Sequence, residues 1–545
     1  MRARVGACLL GLWLAGCGSG PQGPVDVDSG PVGGPGGTQR AAVQVLHLGN
    51  GADPQTLDPH RVQGVPGSNI LRDLFEGLVG EAPDGTLVPG AAESWTVSEN
   101  GRVYTFNIRE NGRWSNGDPV TAKDFEFGLR RSVDPATLSL YSSILFPIEN
   151  AEAIANGELP PDALGVEAVD DHTLVIRLRA PTPYLPGLLT HSSTYPVHRP
   201  SLEQYGAAFA RAGRLVSNGP YRLVEWAVQS HIRLQRNEYY RDDEHTEIDE
   251  VWYYPTENQD VELKRYRAGE LDITESLPYQ QLGWIRENLG EQLRIAPYLG
   301  SYYYGLNLTR PPFKDNPKLR SALAMAIDRD IITEKVTGAG EIPAYGWVPP
   351  VAGYEGQQPD WAAWTQAERN ERARQLYSEA GYSKARPLTV ELLYNTQENH
   401  KRIAVAIAAM WKQTLGVRTK LLNQEWKVFL STRANKDTQI FRAGWIGDYN
   451  DAYSFAQLMH STNEQNDSGY HSAEYDALLD QAAIEPDPVR RAELMQQAER
   501  VLLRDLPIIP IYFYVSKHLV KPWVGGFVPN VMDHHQSKHL YILAH

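Results

Sequence analysis

A chain of 545 residues with a formal net charge of −14 and 42% hydrophobic residues is too long for one core and divides into two or three domains. The acidic balance, without a basic stripe, excludes an ordinary electrostatic nucleic-acid binder. Its only cysteines, Cys8 and Cys17, lie near the start, so the remaining chain has no disulfide or thiol chemistry and must gain stability from size.

Arg2 and Arg4 precede an apolar run, Val5 to Leu14, that is too short to span a bilayer. Leu14-Ala15-Gly16-Cys17 follows, and it resembles a bacterial lipobox. That resemblance implies a lipoprotein signal over residues 1–17, with Cys17 as the lipid anchor and an extracytoplasmic location, in the periplasm or at the cell surface. Residues 18–42 are dominated by Gly and Pro and read as a flexible tether. No later run is long enough for a transmembrane helix.

Beyond the tether, Val43 to Leu48 alternates as a strand, and Asn69 to Leu78 has helical spacing. Val103 to Arg109 alternates cleanly beside the turn signals Asn111-Gly112 and Asn116-Gly117. Thr121 to Asp124 opens a helix with a capping box, and Thr173 to Leu178 gives another strand. The mix is α/β.

Phe441 to Asn450 carries the chemistry. A short strand has Arg442 at one end and Asp448 just beyond the other, interrupted by Gly444 and Gly447 and flanked by Trp445 and Tyr449. Glycine inside a strand marks a bulge or a close approach of backbone. A peptide, with its positive end, extended backbone and negative end, fits such a strand. The competing reading is turn chemistry at Gly-Asp-Tyr-Asn with Trp445 in the core.

Several further stretches occur in one order. They are Ala92-Glu93-Ser94-Trp95, Trp114-Ser115-Asn116-Gly117-Asp118-Pro119, Asn218-Gly219-Pro220-Tyr221, Arg265 to Asp272, Tyr302-Tyr303-Tyr304, Arg320 to Arg329 and Val520 to Gly526. From about Val43 to His545 the chain resembles the periplasmic oligopeptide-binding proteins of peptide ABC importers, in the extracellular solute-binding protein family 5. The resemblance implies a three-domain periplasmic-binding-protein-like fold whose two lobes close on the ligand by a two-strand hinge. Domain I would comprise 43–75, 199–299 and 516–545, domain II 76–198, and domain III 300–515, with crossovers near Tyr298–Leu306 and Ile509–Ser516. It also implies a monomer that hands short peptides to a membrane permease and its ATPase subunits, without nucleic acid or cofactor.

The resemblance then implies that Asp448 meets the peptide α-ammonium. Gly444, Trp445 and Ile446 pair with its backbone on one side, and Gln63, Gly64 and Val65 on the other. Arg442, Arg433 and His400 meet the carboxylate or acidic side chains, while Tyr141, Tyr298, Tyr303, Trp426 and Tyr449 wall the pockets. For His400 and Arg433 the competing reading is a solvated surface charge, and for Trp426 a core position. Departures from the relatives' pattern are Gln63 and Gly305 in place of acids, and Thr337 in place of a Lys. They predict a weaker preference for cationic peptides and poorer capture of the shortest ligands. The relatives' cysteine pair falls on Gly300 and Ile446.

No Gly-x-Ser-x-Gly, His-Glu-x-x-His or P-loop pattern occurs, so no catalytic residue and no metal site are expected. His535 and His539, with His534 beside them, have the i,i+4 spacing that could hold a metal, but they lie in a polar stretch, Asp533 to Lys538, that reads as a solvated surface turn. The alternatives within the fold are a murein tripeptide binder and a peptide-sensing receptor.

Overall fold

The computed structural model describes residues 38–545, so the expected signal, Cys17 and residues 18–37 of the tether lie outside it. No helix among the described residues is long and apolar enough to cross a membrane.

Three larger sheets organise the chain. The first joins the N-terminal strand Val45–Gly49, in parallel, to Glu250–Tyr254, then antiparallel to His231–Arg236 and Tyr221–Ala227. The second is local and antiparallel, built from Ala92–Val97, Val103–Ile108, Thr173–Arg177 and Val166–Ala168. In Val103–Ile108, Tyr104, Phe106 and Ile108 are buried, as its period-2 pattern requires. The helix Ala122–Val133 packs against this sheet and is capped as expected, with the Thr121 amide donating to Asp124 Oδ2 at 2.7 Å.

The third sheet has six strands, in the order Ile342–Pro343, Ile508–Leu519, Leu293–Leu306, Ile440–Ile446, Thr389–Asn395, Arg418–Gln424. Leu293–Leu306 and Ile508–Leu519 pair antiparallel along most of their length, with a register break between Pro297 and Ser301. They are the long strands on which the expected crossovers fall. Both faces of this sheet are covered, so side chains alternate between two buried clusters. Tyr302, Tyr304 and Leu306 pack in one, while Tyr303, Ala443 and Trp445 pack in the other. Gly300 and Ile446 are register partners in adjacent strands, which places together the two positions where the relatives carry a cysteine pair.

One element differs from its sequence expectation. The helix predicted over 69–78 spans Val65–Leu74. Gly64, at φ 84°, supplies the left-handed residue before it, and Pro66 occupies the first turn where a missing N–H is harmless. The chain leaves the helix at Leu74 because the backbone of Gly219 packs there, so closely that a Cβ on Gly219 would lie 2.6 Å from the Leu74 carbonyl carbon.

Candidate functional site

The strand Ile440–Ile446 is paired along one side with Leu293–Leu306, from Ile440↔Leu306 to Ile446↔Gly300. On its other side Thr389–Asn395 reaches only Ile440 and Phe441. From Arg442 to Ile446 that second edge has no strand on it, and Arg442, Gly444, Trp445 and Ile446 line a cavity of about 340 Å³. Unpaired strand edges are templates for another extended backbone. Trp445 is anchored by its indole N–H, which donates to the Ser454 carbonyl at 2.8 Å. Gly444 is required for a reason the sequence did not reveal. A Cβ there would lie 2.5 Å from the Tyr514 hydroxyl, the group that Arg442 Nη2 reaches at 2.7 Å.

Asp448 follows the strand, lines the same cavity and is buried. Its amide donates to Ser454 Oγ at 2.8 Å, but its carboxylate Oδ2 has no partner among the described residues. Burial pushes its pKa far above the usual carboxylate range, with Ser454 opposing only weakly. The nearest basic group is His191, whose Nε2 lies 3.7 Å from Asp448 Oδ1. Burial holds that imidazole down at about 3, so it is neutral and gives Asp448 no counter-charge.

The other end of the strand has the opposite problem. Arg442 is buried, with Nη1 donating to Asn395 Oδ1 at 3.2 Å and Tyr302 under its plane at 4.8 Å. All these partners are neutral, and no carboxylate forms an ion pair with it among the described residues. His400 is also buried, 5.7 Å from the Tyr302 ring, with Nδ1 unpartnered. Burial, then the Arg442 and Lys517 charges, keep it well below its ordinary pKa. Neither His400 nor Arg433 is a solvated surface charge. Arg433 lines the cavity but is committed to Asp467, with Nε to Oδ2 at 2.5 Å.

Gln63, Gly64 and Val65 also line the cavity. Val65 opens a helix; Pro66 has no N–H and the Gly67 and Ser68 amides donate to the Gly64 carbonyl at 3.3 Å, which leaves the Val65 amide as this corner's donor. Trp426 is half-buried in the wall rather than in the core, and a Cβ on Gly64 would lie 2.8 Å from its ring. Tyr141 and Tyr298 also line the cavity. Tyr303 and Tyr449 do not: Tyr303 packs edge-on to Trp347 at 4.9 Å, and Tyr449 stacks on Tyr184 at 5.8 Å. Tyr303 faces the covered side of its strand because neighbours on a strand alternate.

Three observations concern charge. At Thr337, where the relatives' pattern has a Lys, the nearby ammonium belongs to another element and is already paired. Lys517 lines the cavity and pairs with Glu341 at 3.3 Å, while the Thr337 hydroxyl donates to Glu341 Oε2 at 2.7 Å. Glu257 and Glu275 line the cavity too, so the missing acids at Gln63 and Gly305 do not leave it without carboxylates beyond Asp448. At Gly305 the Phe441 ring fills the space, 2.0 Å from where a Cβ would sit. Finally, the stretch from Asp533 to His535 is not a solvated turn, since all three side chains line the cavity. Lys517, Glu257 and Glu275 carried no signal in the sequence, because each comes from a separate element.

Residues 426–491 touch residues 53–184 across the cavity. Lys427 Nζ meets the fully buried Asp53 at 2.7 Å, and Gln63 Nε2 donates to Gln465 Oε1 at 2.6 Å. Ser142 donates to Glu464, and Arg491 lies over the Tyr184 ring at 4.3 Å.

The family model described as bacterial extracellular solute-binding proteins, family 5 Middle, matches residues 86–467. The chain is 42% identical over 516 residues to the periplasmic oligopeptide-binding protein OppA of Escherichia coli (strain K12), covering 94% of this chain and 95% of that one. Among solved structures it matches the Haemophilus influenzae OppA complex with RPPGFSPFR at TM-score 0.90 and 40% identity, over 93% of this chain and 100% of that one. The Escherichia coli murein tripeptide binding protein MppA matches at TM-score 0.91, also 40% identical and with the same coverage. The unliganded open form of MppA, over 94% and 99% of the chains at 40% identity, reaches only 0.66, so the contacts across the cavity are those of a closed arrangement. By the extent of these matches the chain belongs to the bacterial extracellular solute-binding proteins, family 5.

Proposed function

We propose that this protein is an extracytoplasmic binding protein, not an enzyme, that captures short oligopeptides of varied sequence and delivers them to an ABC importer. One observation carries the reading. A buried strand edge without a partner runs between an uncompensated guanidinium, Arg442, and an uncompensated carboxylate, Asp448. A zwitterion with an extended backbone satisfies all three at once. The ammonium would pair with Asp448, the backbone with Gly444–Ile446, and the carboxylate with Arg442, assisted by His400 and Lys517. Breadth follows because strand pairing reads the backbone and not the side chains. In this reading the three domains have the boundaries expected above, Cys17 anchors the chain, and the protein acts as a monomer.

The test is thermal unfolding with Ala-Ala-Ala, its N-acetylated form, Lys-Lys-Lys and murein tripeptide, on the wild type and on Asp448→Ala. A ligand at one hundred times its Kd adds about 2.7 kcal/mol of stability. Free tripeptides should stabilise the wild type. Acetylation and Asp448→Ala should each abolish the shift, since an unpaired buried charge costs about 3–5 kcal/mol. The ligand-free variant should be at least as stable as the wild type, because it lacks that carboxylate. A shift that survives both changes would sink the role given to Asp448. Murein tripeptide is the second reading, since the murein tripeptide binding protein MppA matches as well as OppA does and the cavity also holds Arg433 and Lys517, although Asp467 and Glu341 already pair with them. Stabilisation by murein tripeptide alone would decide for it.

A further inference from the structure

The cavity wall holds a second group of side chains that peptide capture does not use. His518 comes from the strand Ile508–Leu519, while Asp533 and His535 come from the segment between the short strands Val524–Gly525 and Tyr541–Ile542. His518 Nε2 lies 3.0 Å from both Asp533 oxygens, and His535 Nε2 lies 2.9 Å from Oδ1. One donor atom from each of the three lies within 4.8 Å of the others. We propose that His518, Asp533 and His535 form a binding site for a divalent transition ion, Zn²⁺ foremost, in the wall of the ligand cavity.

Four features support the site. Its donors are two imidazoles and one carboxylate, a set that suits Zn²⁺ and its neighbours and does not suit Mg²⁺ or Ca²⁺, which take oxygen. The ring of His518 is already aimed, because its Nδ1–H donates to the Thr274 carbonyl at 2.7 Å and leaves Nε2 facing Asp533. Such outer bonds orient the ligands of most metal sites. The spacing is close to what is needed: bonds of about 2.0–2.2 Å at tetrahedral angles put neighbouring donors about 3.3 Å apart. The two imidazole–carboxylate contacts, at 3.0 and 2.9 Å, need open by only a few tenths of an ångström, and the two imidazole donors lie within 4.8 Å of each other. Lastly, Asp533 is held at φ 54°, a left-handed backbone that a non-glycine residue adopts at a cost.

Three protein ligands leave a fourth position, and all three residues line the cavity, so that position faces the bound molecule or water. Glu275, next after Thr274, also lines the wall, and its Oε2 is buried without a partner among the described residues. The pair His535 and His539 that spacing alone singles out is not the one that converges. His518 lies far upstream in the chain and replaces His539.

The experiment uses the full, tag-free chain stripped of metal, without peptide, so that its outcome is independent of the peptide reading. ZnCl₂ should raise Tm while MgCl₂ leaves it unchanged, and Co²⁺ should give the visible absorption of a tetrahedral nitrogen–oxygen site that excess Zn²⁺ removes. His518→Gln and His535→Gln should each weaken Zn²⁺ binding by at least about tenfold. No Zn²⁺ effect on the wild type would overturn the proposal, as would an effect undiminished in both variants. Should either variant lose its cooperative transition, the Co²⁺ spectrum of the wild type still decides.

Discussion

Asp448 and His60 show how burial, with the neighbours it leaves, sets the chemistry of single residues here. Both are removed from water, but Asp448 lacks a counter-charge and His60 is held neutral by its neighbours. Arg131 Nη1 donates to His60 Nδ1 at 2.9 Å, and His60 Nε2–H donates to the Tyr195 carbonyl at 2.9 Å. Burial, then the Arg131 charge, lowers the imidazole from 6.5 to about 4. A lowered histidine favours folding above its unfolded pKa, and that contribution is lost as pH falls from 6.5 toward 4. The size is about 3 kcal/mol. We expect the unfolding free energy to drop over that interval, and His60→Gln to make the drop shallower. Equal slopes in denaturant titrations of both proteins would refute the assignment. Asp448 was legible in the sequence because it sits beside a glycine-interrupted strand. Nothing local marked His60, whose neutrality depends on Arg131 and Tyr195.

The strand Ile440–Ile446 joins sequence to function through what is missing beside it. Gly444 within it and Gly447 just beyond it are local facts, whereas its free edge depends on where Thr389–Asn395 stops pairing. Gly444→Val should destabilise the protein by about 1–3 kcal/mol, as overpacking does. The added carbon would displace the Tyr514 hydroxyl from Arg442, so peptide affinity should fall as well. Urea midpoints together with peptide titration test this, and a variant that keeps wild-type affinity would show that Tyr514 does not position Arg442.

For the whole molecule, the question is what holds the cavity shut. Lys427 and Asp53 meet across it, and Asp53 also accepts from Trp226 Nε1 at 3.0 Å. Ligand affinity scales with the fraction of molecules able to close, so a weaker latch raises the apparent Kd without touching a peptide contact. Lys427→Ala should cost roughly 1 kcal/mol of closure, about fivefold in Kd. Small-angle scattering should show a larger ligand-free radius of gyration that contracts on peptide addition. An unchanged radius with unchanged affinity would show that the pair contributes nothing to closure.

The sequence by itself determined the α/β class, the family and the strand that carries Asp448, because these rest on periodicity and on motifs in one order. It also pointed to Gln63, Gly64, Arg442 and Trp426 as cavity residues. Only the tertiary structure separated Tyr303 and Tyr449 from the cavity wall, since which face of a strand is lined depends on what covers the other. It alone brought Lys517 to the place where Thr337 lacks a charge, and His518 to Asp533 and His535. Charges and metal ligands act through space over a few ångströms, and these partners are separated in the chain by elements whose packing no local pattern encodes.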